Sequence, residues 1–118
     1  FQSIQAVQLD SFLPNTRIDV VKLDIEGHEP FAIQGMLNLL KQNQPVMLLE
    51  FAPISLTHIG KISPSAFLQT LVDLGYHLTI IPPIGELIPC GQNASAILHH
   101  FQTQTANHLD LLLEIPQT

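Results

Sequence analysis

The stretch Ile18–His28, IDVVKLDIEGH, decides how this chain is read. Its apolar residues, Ile18, Val20, Val21, Leu23 and Ile25, are nearly continuous and mostly β-branched, the pattern of a strand covered on both faces in a parallel sheet. Into or beside that run are set Asp19, Lys22, Asp24 and Glu26, although the whole chain of 118 residues carries only ten acidic and four basic side chains. An unpaired charge is expensive to bury, so the stretch is either a structural salt-bridge knot or a site.

Working outward, Gly27 ends the strand and Pro30 suits the first turn of a helix, whose face is marked by Ile33, Leu37 and Leu40, with Met36 beside them, up to about Gln42. Upstream, FQSIQAVQLDSFL alternates loosely, which predicts a short strand and then a helical turn capped by Asp10. Downstream, QPVMLLEFAP repeats the grammar of the first strand and ends on Glu50. SPSAFLQTLVDLGY has a capping Ser63, Pro64 at the first helical position, a stripe of Phe67, Leu68, Leu71 and Val72, and Gly75 for a left-handed stop. HLTII follows, a Pro/Gly-rich loop runs from Pro82 to about Asn93, and LDLLLEIP closes as a last strand. This alternation predicts an α/β fold with a mostly parallel sheet and a final strand free to pair antiparallel.

The length allows one domain with one core. A net charge of −6 and the scatter of Arg17, Lys22, Lys41 and Lys61 argue against a nucleic-acid face, because phosphate neutralisation needs clustered cations. No apolar run approaches a membrane span and no leader pattern opens the sequence. Cys90 stands alone, which points to a reducing compartment, and the expected location is cytoplasmic.

In an open α/β sheet, ligands sit outside the carboxyl ends of the strands, where Asp24 and Glu50 both stand. On neighbouring strands, about 4.8 Å apart, the two carboxylates could share a hard divalent cation. Alternatively, Asp24 accepts backbone N–H groups of the turn that follows it. Lys22, Asp24 and Glu26 share a face while the strand continues, so Lys22 either makes a structural pair or orients Asp24. Glu29 lies where a helix N-terminus favours a negative charge, and His28 is either a solvated loop residue or a base. The remaining histidines, His58, His77, His99, His100 and His108, show no zinc-site spacing.

IDVVKLDIEGHEPFAIQGM resembles the signature of FkbM-type methyltransferases: a strand with Lys and Asp, an acidic EGxE turn, and a helix with an internal glycine, here Gly35. VQLDSFL, PVMLLEF, LGYHLTII and HLDLLLEIP follow the order of that family. The resemblance implies a class I, Rossmann-like fold and S-adenosylmethionine-dependent O-methylation of a hydroxyl on a sugar or other small metabolite. Asp24 would then end the fourth strand and Glu50 the fifth, with LDLLLEI as the antiparallel strand. By likeness to catechol-type enzymes, Asp24 and Glu50 would hold magnesium, His28 would take the released proton, and Glu29 would be the next candidate for a metal-independent base. The glycine-rich cofactor turn of such enzymes has no counterpart, since the six glycines form no GxG. Residues 1–118 therefore resemble the carboxyl-terminal half of one methyltransferase domain, without the cofactor-binding amino-terminal half. The other reading is an inactive remnant or interaction module that associates, for instance as a homo-oligomer, through an exposed sheet edge.

Overall fold

The computed structural model describes residues 3–117. Phe1 and Gln2, the start of the first expected strand, lie outside that range. Ser3 to Gln8 form no strand, and the first element is a single helical turn, α1 (Leu9–Phe12). The elements β1 (Val20–Leu23), α2 (Glu29–Gln34), α3 (Leu37–Asn43), β2 (Val46–Phe51), α4 (Pro53–His58) and α5 (Pro64–Asp73) follow. The chain then runs through β3 (His77–Ile81), β4 (Ile88–Gly91), α6 (Ala94–Gln102) and β5 (Leu109–Glu114).

Two departures from the expected elements have local causes. The helix foreseen from Pro30 to about Gln42 is broken at Gly35 and Met36, where the Gly35 carbonyl accepts from the Asp10 N–H (2.9 Å). Asp10 does not cap its own turn; its carboxylate reaches across the chain and accepts from Asn38 N and Leu39 N, both at 3.0 Å, capping α3 instead. The segment from Pro82 is not all loop, since β4 pairs with β3 as a hairpin. It is followed by α6, capped by the Asn93 side chain accepting from Ala96 N at 3.2 Å. Helix α5 starts and stops where its sequence says, with Ser63 Oγ accepting from Ala66 N and Gly75 at φ 101°.

The sheet has the order β1-β2-β5-β3-β4. Strands β1 and β2 pair in parallel, and β5 enters antiparallel between β2 and β3. The architecture is a mixed α/β sheet: β1, β2 and β3 share a direction, yet only the β1–β2 ladder is parallel. The last strand is antiparallel as expected and lies inside the sheet.

Alternation along the strands splits the sheet into a covered and an open face. Met47, Leu49, Phe51, Leu109, Leu111, Leu113, Leu78 and Ile80 are buried in one cluster with Ile33, Leu39, Leu40, Leu56, Phe67, Leu68, Leu71 and Ile97 from the helices. Phe101 of α6 meets Phe51 edge to face at 6.5 Å, which puts that helix on the same side. On the opposite face, Val20 is 61 % and Leu48 36 % exposed. The expectation that the first strand is covered on both faces therefore fails among the described residues: all the helices lie on one side, and β1 is an edge strand. None of the described helices is long and apolar enough to cross a membrane.

Candidate functional site

Register builds the site. One step beyond the last β1–β2 partners, Leu23 and Leu49, come Asp24 and Glu50; Glu50 is paired across the β2–β5 ladder with Asp110, and Asp110 across the β5–β3 ladder with Ile81. Three carboxylates from three neighbouring strands thus stand in one row on the open face. They border a groove of about 400 Å³ together with Lys22, Leu48 and His108. Beyond Glu50 lies a second recess of about 290 Å³, edged by Glu26, Ser55, Ile59 and Asn107.

The electrostatics of the row are unfavourable to full ionisation. Like charges directly opposite on paired strands repel. The Glu50 carboxyl is held above its ordinary range first by a hydrogen bond with Asp24, then by burial and by the Asp24 charge, while His108 pulls the other way. The Asp24 side chain thus stands close enough to Glu50 to disfavour its charged form. The ligand atoms of Glu50, His108 and Asp110 fall within 4.8 Å of one another. His108 Nε2 lies 3.8 Å from Asp110 Oδ1, and its Nδ1 is 3.0 Å from Asn107 Oδ1.

The structure brings the expected pair, Asp24 and Glu50, together and adds His108 and Asp110. These two had no signal in linear spacing; only the antiparallel insertion of β5 between β2 and β3 reveals them. Lys22 lines the groove but makes no ion pair among the described residues, so the expected structural pair with a neighbouring carboxylate does not form. Glu26, at φ 54°, has left the strand and no longer shares its row.

Neither His28 nor Glu29 lines the groove. His28 is exposed and its Nδ1–H donates to the Ile25 carbonyl at 3.0 Å, which leaves Nε2 as the basic nitrogen. Glu29 is 1 % exposed and accepts from Ile25 N at 2.8 Å and Gly27 N at 2.9 Å. The turn amides therefore go to Glu29, and Asp24 does not cap its own turn.

The side chains whose ligand atoms come close enough to share one cation are Glu50, His108 and Asp110, two carboxylates and an imidazole; the expected ligand Asp24 is not in that group. The chain's residues do not fit S-adenosylmethionine in the same way. Among the described residues no strand runs into a glycine-rich turn, and Gly27, the one glycine beside the site, is closed off by Ser55, whose carbonyl oxygen would stand 2.6 Å from an added Cβ.

No curated protein and no solved structure matches the chain. The sequence model of the methyltransferase FkbM domain matches residues 2–78, which contain β1, the acidic turn, β2 and both Asp24 and Glu50. Well over half of the 118 residues are covered, and the chain belongs to the FkbM methyltransferase family.

Proposed function

We propose that this chain is the acceptor-binding part of an S-adenosylmethionine-dependent O-methyltransferase of the class I fold, acting on a hydroxyl of a sugar or other small metabolite in the cytoplasm. The observation that carries the reading is the Asp24–Glu50 pair at adjacent strand ends, facing an open groove inside an FkbM domain. Carboxylates in this arrangement hydrogen-bond and orient a hydroxyl-rich acceptor, and Glu50 and Asp110 would hold magnesium. Such an ion would polarise the acceptor oxygen and lower its pKa. The released proton needs a base within reach of the groove, a place that His108 occupies and the expected His28 does not. None of the residues at this site forms a cofactor cradle.

The test has two arms. Titration calorimetry of this chain with S-adenosylmethionine should give no saturable heat, and stoichiometric tight binding would show that this chain does form a cradle. The full natural protein, given a labelled methyl donor and a panel of sugars and other hydroxylated metabolites, should label at least one hydroxyl, and should lose that activity in Asp24→Asn. Failure to label any acceptor would remove the methyl-transfer reading.

The open face and the bare edge of β1 favour a second reading, a non-catalytic module that associates through that edge, with a second copy as the simplest partner. Light scattering separates the two, since a monodisperse monomer with methyl-transfer activity leaves the module without support.

A further inference from the structure

Among the described residues, Glu29 is the one charged side chain that is buried. A carboxylate at that depth is costly unless its oxygens are satisfied, and here both are, by charge-assisted bonds from Ile25 N and Gly27 N. The first of these amides belongs to the peptide that joins Asp24 to Ile25. Its orientation therefore sets the direction in which Asp24 leaves the strand.

The rest of the turn is held with equal closeness. Glu26 and Gly27 sit at φ 54° and 98°, a left-handed pair that only a specific set of contacts would keep. Gly27 is pressed against the Ser55 carbonyl, and a Cβ added at Gly60 would come within 2.8 Å of the Gly27 carbonyl oxygen. The turn is thus wedged between α4 and its own glutamate, which holds the backbone from which the Asp24 side chain projects.

We infer that Glu29 is a positioning residue: its buried carboxylate clamps the turn after β1 so that the Asp24 side chain is presented to Glu50 in one orientation. The inference rests on the reading of Asp24 and Glu50 as the site, and it gives Glu29 a task through Asp24 rather than on a substrate. Glu29→Gln replaces one accepting oxygen by an amide NH₂ that cannot accept, while keeping the shape.

Nuclear magnetic resonance on the labelled chain tests it. Three-bond couplings from the Asp24 backbone nitrogen and carbonyl carbon to its carboxyl carbon report its χ1 rotamer. In the native chain they should show one rotamer, and in Glu29→Gln and Glu29→Ala they should collapse to averaged values while core signals such as those of Leu111 stay in place. Tyr76→Phe, which weakens the core at the connection between α5 and β3, should leave the Asp24 couplings unchanged. In the full natural protein, Glu29→Gln should lower kcat by about tenfold or more with little change in cofactor KM, as expected of a displaced group. A single Asp24 rotamer persisting in a folded Glu29 variant would overturn the inference, and so would averaged couplings in the native chain, which decides the matter even if both variants fail to fold. If the native protein transfers no methyl group while the Asp24 couplings still respond, the clamp stands and the methyl-transfer reading falls.

Discussion

On the covered face of the sheet, Met47, Leu49, Phe51, Leu109, Leu111 and Leu113 are between 0 and 4 % exposed, while their immediate neighbours on the same strands, Leu48, Glu50 and Asp110, face the open side. The residue types change with the face: uniformly apolar on one, mixed and acidic on the other. A two-residue period thus lets β2 and β5 serve two purposes, a core on the odd positions and a site on the even ones. The difference shows why Glu50 can carry an unfavourable charge arrangement without cost to the core: its partners Asp24, His108 and Asp110 all meet it on the side away from the helices.

The largest effect expected from this contrast is on the covered face. Phe51→Ala should lower unfolding free energy by about 3–5 kcal/mol in chemical denaturation, since the ring is fully buried and packs against Phe101. Leu48→Ala, on the neighbouring position, should stay within about 0.5 kcal/mol. Similar losses at both positions would mean that the open face is covered in solution.

A smaller loss is expected at Tyr76, which is fully buried and donates its hydroxyl to the Pro45 carbonyl at 2.7 Å; burial pushes its pKa up to about 12. Tyr76→Phe leaves that buried carbonyl without its donor and should cost about 1–3 kcal/mol, read from the denaturation midpoint. No measurable change would show that water reaches Pro45.

On the open face the expected effect is smaller still and depends on pH. The Glu50 pKa is higher in the folded chain than in the unfolded one, so the stability contributed by protonated Glu50 is fully present below the ordinary glutamate range. It is lost as pH rises through the raised value. Thermal melting should therefore show a decline in Tm above the ordinary carboxylate range, and Glu50→Gln should flatten it. A Tm that rises over that interval, or a slope unchanged in the variant, would separate Glu50 from Asp24.

How much of this was legible before folding depends on the range of the interaction. Strands β1, β2, β3 and β5 and helix α5 announce themselves through apolar runs, Ser63, Pro64 and Gly75, all local signals. The acidic pair was legible because both residues end apolar runs that a parallel sheet places side by side. Helix α6 carries local signals too, with Asn93 capping it and Ile97, Leu98 and Phe101 at helical spacing, whereas β4 is hidden by the prolines and glycines around its hairpin, which have the composition of a loop. His108 and Asp110 lie some sixty residues from Glu50 in sequence, and only the placing of β5 beside β2 brings them together. Asp10 shows the same limit, because it spends its carboxylate on the amides of Asn38 and Leu39, far away in sequence, whereas Glu29 takes the amides of Ile25 and Gly27 within its own turn.

The central claim is that Asp24 and Glu50 act as one reacting unit on the open face. A double-mutant cycle on methyl transfer by the full natural protein tests it most directly, using Asp24→Asn, Glu50→Gln and the pair together, with folding checked by Tm. Each single variant should lose about a hundredfold or more in turnover at nearly unchanged stability. The double variant should be no worse than the worse single, as groups that work as a unit behave. Full turnover in Glu50→Gln, or losses that multiply in the double variant, would contradict the account.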